Sequence, residues 1–495
     1  MNGAEFLLGP AALARHGKRI AMICGDESVT FAELAKRVAQ AAAAFTSLGV
    51  RPGDRVVFLM RDTPQFAAAW LGVVRAGAIA IALNNKLADA DVAHVIRDST
   101  PRIAVVDEHF GARALAGVRV LPASAFLYLL EAAAGAPAFE VTPETPAFLL
   151  YSSGTTGHPK GIAHVHRGFA SLGLAFCAAG VAEGDRVFTT SKFFFAYGLE
   201  HGLLATLATG VSSIVYPDWP DAEAVIGLVD RHRPGAMFSV PTIYRRLLAE
   251  PQARLRSFGG VRRFVAGGER ISAQLVEQWR QAVGAELLNL YGMSETFCAC
   301  MMTPPGTSNG VRTGVPFPGV QFKLRDPSGN APPAGEPGVL WVRHPAQATG
   351  YANLPQQTRE QFRDGWFCSR DLFVRDGEGF YIHQGRSDEL LKIAGQWVQP
   401  GELEEVAGRE AGVAEAACVP VADGDGLERL ALFITVNGDP AAAQRATVEA
   451  CERLLPRHKR PKWVRAVNEL PRTATGKVQR FKLREILERE LSGKD

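Results

Sequence analysis

The sequence predicts an α/β fold, in which strand-like and helix-like segments alternate to build a large layered body. Thr30 and Glu33 form a capping box before the helical run FAELAKRVAQAAAAFTSLG, and the apolar run DRVVFLM follows as a strand. The alternation returns after VRRFVAGGE, where Ser272 is placed to cap a helix before the strand-like LLNLYG. Repeated β-α-β units of this kind predict parallel strands covered by helices.

Further elements follow in order along the first third of the chain. Gly49 is placed to end the first long helix, and Pro64 is placed to open the next one. AIAIAL and RIAVVD predict strands on either side of a helical stretch, DADVAHVIRDS. PAFLLYSS, bounded by Pro146, predicts a buried strand, and IAHVH predicts its hairpin partner. The segment between these two strands is therefore expected at a strand end, where α/β sheets hold their sites.

Composition and charge narrow the class of protein. With 495 residues, of which 47% are apolar and 21% charged, the chain is expected to form two or more domains of a large soluble enzyme. The net charge of +3 gives no indication of a nucleic-acid or membrane partner, so neither is expected. Seven cysteines without metal-ligand spacing predict reduced thiols. Neither a signal peptide nor a membrane-spanning run is recognised, which predicts a cytoplasmic protein.

The stretch YSSGTTGHPKG, from Tyr151 to Gly161, concentrates the residue types that bind a polyphosphate. Glycines allow the backbone to present consecutive amides, hydroxyls add donors, and Lys160 adds a positive charge. It is not a Walker-type loop, because Gly161 follows the lysine where Ser or Thr is required, and it lacks the dinucleotide fingerprint. Composition alone leaves open a mobile hairpin. The predicted phosphate contacts are Ser152, Ser153, Gly154, Thr155, Thr156, Gly157 and Lys160.

Three further blocks carry residue types suited to nucleotide chemistry. NLYGMSETF contains Glu295, a hard oxygen ligand for magnesium, and Tyr291, an aromatic face for adenine. DGWFCSRDLFVRDGEGFYIHQGRSDELLKIAG contains Asp371, and PRTATGKVQRFKLRE places Lys477 in a loop rich in Gly and Thr. Taken singly, each of these residues also has a plain structural explanation as a surface charge or a core aromatic.

In this order, the four blocks closely resemble the signature of the adenylate-forming superfamily, which includes acyl-CoA synthetases, luciferases and peptide-synthetase adenylation domains. The resemblance covers essentially the whole chain. It implies that the glycine-rich loop binds ATP, with Thr155 also catalytic, that Glu295 binds Mg²⁺ and acts in catalysis, and that Lys477 is the catalytic lysine. It also implies nucleotide contacts from Gly267, Gly268, Glu269, Tyr291, Gly292, Ser294, Asp371, Arg386, Lys392 and Gly395.

The resemblance further implies a domain organisation and a two-step ligase reaction. Residues 1–386 are expected to form the AMP- and acyl-binding domain, residues 387–388 the hinge with Asp388 as pivot, and residues 389–495 a smaller, mobile α+β lid. An acid first reacts with Mg-ATP to give acyl-adenylate and pyrophosphate. The lid then swings, removing Lys477 and presenting the loop from Lys392 to Gly395 to a thiol acceptor. Arg370 stands where the family usually has Gly, which leaves open the backbone geometry before Asp371.

Two aromatic segments bear on the acid. SKFFFAYGLEHGLL and MFSVPTIY are similar to segments of the benzoate-CoA ligase branch, which implies a small aromatic carboxylic acid as substrate. Members of that branch often carry a histidine shortly after the metal-binding glutamate, where this chain has Phe297 and Cys298. Substituted benzoates, heteroaryl acids and short branched acids therefore stay open. The implied acid-binding residues are Phe195, Ala196, Tyr197, Gly198, Phe238 and Val240.

The acceptor thiol has two possible sources, free CoA or the phosphopantetheine of an acyl carrier protein. A basic cluster near the C-terminus fits either the phosphates of CoA or an acidic carrier protein. A third reading is a non-catalytic nucleotide-binding module, but the presence of Lys477, Glu295 and the complete phosphate loop argues against it. The cluster consists of Arg457, His458, Lys459, Arg460 and Lys462.

Overall fold

The computed structural model describes residues 1–111, 115–152, 158–393, 396–424, 427–472 and 478–492, without the side chains of Cys298, Lys392, Trp397 and Ser492. The chain forms two compact units. Unit 1 contains residues 1–323, 341–369 and 377–381, and unit 2 contains residues 324–340, 370–376 and 382–495. The predicted hinge at Asp388 stays a prediction.

The helices of unit 1 begin where local signals predict them. The side chain of Thr30 accepts from the Glu33 N–H in a complete capping box, Pro64 opens its helix, and Ser272 Oγ accepts from Leu275 N–H. These helices are α1 (Gly3–Leu8), α2 (Pro10–His16), α3 (Phe31–Ser47), α4 (Pro64–Arg75), α5 (Asp89–Ser99), α6 (Ala123–Ala132), α7 (Leu174–Ala179), α8 (Ala196–Leu199), α9 (Ala205–Thr209), α10 (Ala222–His232), α11 (Pro241–Leu248), α12 (Ala273–Val283) and α13 (Pro355–Gln361).

A nine-stranded sheet runs in the order β15-β14-β13-β12-β11-β9-β10-β1-β2. From β13 to β1 its strands are parallel, and antiparallel strands close both edges. Its strands are β1 (Ile20–Cys24), β2 (Glu27–Thr30), β9 (Arg186–Thr189), β10 (Ser212–Val215), β11 (Ala236–Ser239), β12 (Arg263–Gly267), β13 (Leu287–Met293), β14 (Cys298–Met302) and β15 (Val315–Pro316).

A seven-stranded sheet runs in the order β18-β8-β7-β4-β3-β5-β6. Its central pairs are parallel, and β7 and β8 form the antiparallel hairpin that the sequence predicts around the glycine-rich loop. Its strands are β3 (Arg55–Leu59), β4 (Ile79–Ala82), β5 (Ile103–Val106), β6 (Arg119–Pro122), β7 (Pro146–Ser152), β8 (Lys160–Val165) and β18 (Gly350–Tyr351). The α/β class predicted from the alternation is confirmed.

Five further strands lie between residues 321 and 386, and the chain passes from one unit to the other within four of them. These strands are β16 (Gln321–Arg325), β17 (Gly338–Arg343), β19 (Phe362–Arg363), β20 (Trp366–Arg375) and β21 (Tyr381–Arg386). Within unit 1, β19 pairs antiparallel with β20, and Phe362 lies opposite Phe367.

Unit 2 has an α+β composition of its own. Strand β24 pairs antiparallel with β25, β25 pairs parallel with β26, and β22 and β23 form a short hairpin. Buried side chains such as Leu403, Leu432 and Cys451 join its helices to the sheet. The elements are β22 (Leu391–Ile393), β23 (Gln396–Val398), β24 (Val413–Ala422), β25 (Glu428–Val436), β26 (Trp463–Ala466), α14 (Pro400–Gly408), α15 (Pro440–Leu454) and α16 (Arg480–Ser492).

Large apolar side chains fix the interior of unit 1. One cluster surrounds α3 and α4 and includes Phe45, Trp70 and Phe148, and another surrounds Tyr244 and Trp279. Burial of such aromatic side chains supplies much of the apolar area removed from water. No helix in the described part of the chain is both long enough and apolar enough to cross a membrane.

His166 ties the N-terminus of the chain to the hairpin of the phosphate loop. Its Nδ1 accepts a hydrogen bond from the backbone N–H of Gly3 at 2.9 Å, so this nitrogen must carry no proton. Burial lowers the pKa of His166 from 6.5 to about 4. Because the pKa of His166 is lower in the folded state than in the unfolded state, neutral His166 contributes fully to the free energy of unfolding above pH 6.5. This contribution is lost as the pH falls from 6.5 towards 4.

A pH-dependent stability follows from His166. Between pH 7 and pH 5 we expect the free energy of unfolding to fall by about 2 kcal/mol more in the wild type than in His166→Asn. Asparagine does not titrate, and its Oδ1 can accept from Gly3 in place of Nδ1. Urea denaturation at the two pH values measures this difference. An identical pH dependence for the two proteins would contradict it.

Candidate active site

The stem of the phosphate loop lies where β7 ends and β8 begins. Ser152 is opposite Lys160, and Tyr151 is opposite Gly161. A Cβ on Gly161 would lie 3.0 Å from Cζ of Tyr151, so glycine here lets the tyrosine ring pack closely against the backbone. The hairpin thus brings Ser152 and Lys160 together, as predicted. Ser153, Gly154, Thr155, Thr156 and Gly157 lie outside the described residues.

Polar contacts hold this stem in place. The phenol of Tyr151 donates to Oδ2 of Asp98 at 2.6 Å, and Nδ2 of Asn353 donates to Oδ1 of the same carboxylate at 3.0 Å. Burial raises the pKa of Tyr151, so its phenol remains a donor. On the other side of the loop, His94 hydrogen-bonds to the carbonyl of Pro159 at 3.1 Å. Asp98 and His94 both belong to α5, so this one helix holds both ends of the loop.

Glu295, the predicted metal ligand, lies in a 3₁₀ turn directly after β13. The backbone N–H of Ala348 donates to the Glu295 carbonyl at 2.8 Å, and the phenol of Tyr351 donates to Oε1 of its carboxylate at 2.9 Å. The half-buried carboxylate is a hard oxygen donor held in one orientation, which fits Mg²⁺, a cation bound in proteins by one or two carboxylates together with substrate phosphates.

Phe297 anchors the turn that carries Glu295. It adopts the left-handed conformation with φ 51°, and its buried ring lies 4.8 Å from that of Phe148 and 5.2 Å from that of His164. Burial lowers the pKa of His164 to about 3, so this histidine is neutral at physiological pH. Phe297 therefore packs into the core two residues after Glu295, and the positive φ is offset by this packing.

The predicted adenine-binding residues lie at the carboxyl ends of adjacent parallel strands. Gly267 ends β12 opposite Leu290 of β13, and Tyr291 and Gly292 follow. Gly268 has φ +83°, a conformation that glycine adopts without strain. Oε2 of Glu269 accepts from Thr242 Oγ1 at 2.8 Å. The edge at which α/β sheets hold nucleotides is thus formed by residues that the sequence singles out.

The predicted acid-binding segment caps and enters α8. The ring centroid of Phe195 lies 4.6 Å from that of buried Phe194, and the phenol of Tyr197 donates to the Ser239 carbonyl at 3.2 Å. A Cβ on Gly198 would lie 2.2 Å from the carbonyl oxygen of Lys192, so only glycine fits there. Ala196 is half-buried at the start of the helix.

The two residues predicted from MFSVPTIY take different positions. Phe238 is fully buried, and its ring stacks on His201 at 4.8 Å. Its contact with the acid stays a prediction. Val240 is half-buried immediately before α11, close to Gly268. These positions place Val240, and not Phe238, next to the edge that carries the predicted nucleotide contacts.

Two buried polar pairs that involve residues of the segment SKFFFAYGLEHGLL were not predicted. Glu200 and His201 begin a π-helical turn after α8, and His201 Nδ1 hydrogen-bonds to the Tyr197 carbonyl at 2.9 Å. Lys192, the second residue of SKFFFAYGLEHGLL, forms an ion pair of 2.9 Å with Asp62. No spacing rule links Asp62 to Lys192, because their contact depends on how two sheets pack. The residue pair EH in GLEHGLL was the only available signal for the first pair.

Unit 2 brings together Asp371 and Arg386, both predicted nucleotide contacts, and Asp388, the predicted pivot. Nη1 of Arg386 lies 3.4 Å from Oδ1 of Asp371, and the same guanidinium forms a bidentate pair with Asp388 at 2.8 and 2.9 Å. Arg370 adopts φ 63°, and its carbonyl accepts from both the backbone N–H and the hydroxyl of Ser387. The arginine therefore keeps a left-handed backbone of the kind that glycine adopts readily, held by two hydrogen bonds.

The loop that carries the predicted catalytic lysine lies between two fixed ends. Arg472 and Val478 form an antiparallel bridge, and the Arg472 guanidinium pairs with Glu415 at 2.6 Å. Lys477 itself lies outside the described residues, as does Gly395. The backbone of Lys392 lies in β22 opposite Trp397. The roles of these three residues stay predictions.

The basic cluster of unit 2 is partly neutralised by neighbouring carboxylates. Lys459 pairs with Glu402 at 2.5 Å, and Lys462 pairs with Asp423 at 2.9 Å. Partial neutralisation reduces the field that this surface offers to an anionic partner. The cluster is therefore a weaker electrostatic feature than its sequence suggests.

Family models match both parts of the chain. Residues 10–352 match the AMP-binding enzyme family, and residues 402–477 match the AMP-binding enzyme C-terminal domain. The chain therefore belongs to the AMP-binding enzyme family, the adenylate-forming superfamily, and within it to the branch of the benzoate-CoA ligases.

Individual relatives are similar over nearly their whole length. A 3-hydroxybenzoate–CoA/4-hydroxybenzoate–CoA ligase of Thauera aromatica is 39% identical over 514 residues, covering 99% of this chain and 98% of the relative. A 3-hydroxybenzoate–CoA ligase of Aromatoleum sp. (strain CIB) is 40% identical over 509 residues, covering 98% and 97%. The crystal structure of a benzoate CoA ligase from Burkholderia xenovorans LB400 superposes with a TM-score of 0.90 at 31% identity, covering 98% of this chain and 100% of that one.

Proposed function

We propose that the protein is an ATP-dependent acid-CoA ligase that activates a hydroxybenzoate-like aromatic acid as its acyl-adenylate and transfers the acyl group to CoA. The observation that carries the proposal is that Glu295 and Lys160 both contact Tyr351. A carboxylate suited to magnesium thus lies beside the stem of a phosphate-binding loop, as adenylation by Mg-ATP requires. The similarity to two hydroxybenzoate–CoA ligases supports the choice of acid.

The reaction consists of two substitutions. A carboxylate oxygen of the acid attacks the α-phosphorus of ATP and pyrophosphate leaves; the thiol sulfur of CoA then attacks the acyl carbon, loses its proton, and AMP leaves. Lys160 would add positive charge beside the phosphates, and Asp371 would accept from the ribose hydroxyls. Glu295 would hold Mg²⁺, which neutralises charge on the polyphosphate when bound. Lys477 would stabilise charge developing between the carboxylate and the α-phosphate.

A panel of carboxylic acids, read by pyrophosphate release, tests the proposal. We expect 3- and 4-hydroxybenzoate to give faster release than acetate or a long-chain fatty acid, and CoA to be converted to thioester. A carrier protein bearing phosphopantetheine is offered in parallel, because the basic cluster of unit 2 leaves this acceptor open. Faster thioester formation on the carrier protein than on CoA would make the carrier the acceptor. If no acid on the panel gives pyrophosphate release, the proposed ligase activity is wrong. A cytoplasmic location, where ATP and CoA are available, is part of the proposal.

The acid-binding segment gives a more specific prediction. If Ala196 contacts the aromatic ring, Ala196→Val adds bulk against it, and overpacking costs roughly 1–3 kcal/mol. We expect kcat/KM for the best aromatic acid to fall by about tenfold or more, with the KM for ATP nearly unchanged. Ala282→Val, at a half-buried position on α12, is the control for an added pair of methyl groups. Unchanged acid selectivity in Ala196→Val would contradict the assignment of this segment.

A further inference from the structure

We propose that Tyr351 is a positioning residue for the metal-binding carboxylate, and that its phenol fixes Glu295 beside the phosphate loop. The inference rests on the proposed function, because it takes Glu295 as the residue that holds Mg²⁺. Neither the phosphate loop nor the turn of Glu295 contains this tyrosine, which lies in the segment ATGYANLP.

The fold brings Tyr351 to the stem of the phosphate loop. Tyr351 lies in β18 opposite Ile162 of β8, and the N–H of the next residue, Ala352, donates to the Gly161 carbonyl at 2.7 Å. Only 7% of Tyr351 is exposed, and its ring packs against Phe362 at 5.5 Å. The side chain is therefore held rigidly by the same hairpin that carries Lys160.

The phenol of Tyr351 acts on the carboxylate of Glu295 directly. Its oxygen lies 2.9 Å from Oε1 of Glu295 and 2.8 Å from Oε1 of Gln361, whose amide oxygen and nitrogen exchange places when the amide flips. A phenol has one proton, so when it donates to the carboxylate, the amide of Gln361 must present its NH₂ group to the phenol oxygen. A hydrogen bond to an ionised acceptor is stronger than a neutral one. Gln361 thus orients the phenol, and the phenol orients Glu295.

The ring of Tyr351 also faces the phosphate-loop lysine. Nζ of Lys160 lies 5.8 Å from the ring centroid, within the range of a cation–π contact. Tyr351 therefore contacts both Lys160, which is expected to bind the phosphates, and Glu295, which is expected to bind Mg²⁺. Groups that orient a metal ligand typically change metal affinity or activity by about 10- to 100-fold when removed.

Tyr351→Phe tests the proposal because it keeps the ring and removes only the phenol. Titration of Mn²⁺ into the protein with ATP, followed by electron paramagnetic resonance, is expected to show binding weakened by about tenfold or more. Adenylation should require a correspondingly higher Mg²⁺ concentration. Thioester formation from supplied acyl-adenylate should be unchanged, because that step involves no polyphosphate. Gln361→Leu should give a smaller change in the same direction.

Tyr381→Phe is the matched control, because Tyr381 is also a tyrosine of unit 1 with 7% exposure. Wild-type Mn²⁺ binding in a folded Tyr351→Phe would overturn the proposal, and so would an equal loss in both half-reactions. If Tyr351→Phe fails to fold, Gln361→Leu decides by the same titration. If the wild type forms no acyl-adenylate from any aromatic acid, the proposed function fails, whereas the Mn²⁺ titration still decides the role of Tyr351.

Discussion

Lys477→Ala is expected to lower acyl-adenylate formation by about 10²- to 10³-fold, because removal of one preorganised group that stabilises transition-state charge typically has an effect of this size. The acid carboxylate and the α-phosphate are both anionic, and a lysine between them offsets their repulsion as they approach. Thioester formation from supplied acyl-adenylate is expected to remain largely intact, since the resemblance implies that Lys477 acts in the first step alone. Single-turnover measurements of each half-reaction test both expectations.

Lys482→Ala is the matched control for this experiment. Lys482 is an exposed lysine on α16, five residues further along the chain. Its removal changes the charge of the region by the same amount, so a general electrostatic effect would appear in both variants. An equal loss of both half-reactions in Lys477→Ala would contradict the assignment of this lysine to adenylation.

Lys192→Met is expected to destabilise unit 1 by about 3–5 kcal/mol, because it leaves a buried carboxylate without its cation. The side chains of Lys192 and Asp62 are 3% and 5% exposed. Burial raises the pKa of Asp62 to about 6 despite the attraction of Lys192, so the carboxylate already has a high desolvation cost. Nζ of the lysine also lies within hydrogen-bond distance of three successive carbonyls, of which the nearest, that of Tyr216, is at 2.6 Å.

Urea denaturation at neutral pH measures this effect, and two variants bound its interpretation. Arg280→Met removes the cation of an exposed pair with Glu277 and is expected to cost less than about 1 kcal/mol. The double change of Lys192→Met with Asp62→Leu removes the unpaired charge and should recover much of the lost stability. If Lys192→Met and Arg280→Met lower the free energy of unfolding by the same amount, the buried pair of Lys192 and Asp62 does not make the proposed contribution to stability.

Local sequence signals predicted much of the fold. The capping box of Thr30 and Glu33 and the helix start at Pro64 are confirmed, as is the hairpin around the phosphate loop. Each of these features depends on contacts within a few residues or on the period of apolar side chains. Both kinds of signal can be read directly from the amino-acid sequence. The four blocks predicted the superfamily for the same reason, because their chemistry is contained in short segments.

The position of Arg370 and the environment of Phe238 were decided by tertiary structure. The sequence left open whether an arginine can replace the usual glycine before Asp371. The arginine does so with a φ of 63°, and its carbonyl is held by Ser387, a residue of the turn after β21. Phe238 is in a segment typical of the acid-binding site, but packing against His201 removes it from the surface. Neither result follows from local pattern, because each depends on a partner brought near by folding.

The sequence by itself determined the α/β class, the superfamily and the residue types of the site, because these reside in local periodicity and contiguous motifs. Tertiary structure alone decided which side chains hold those residues in place. Tyr351 reaches Glu295 because β18 pairs with β8, and Asp62 meets Lys192 because two segments distant in sequence pack together. The free energy of such contacts comes from excluding water and satisfying buried charges, which depends on three-dimensional neighbours and not on sequence spacing.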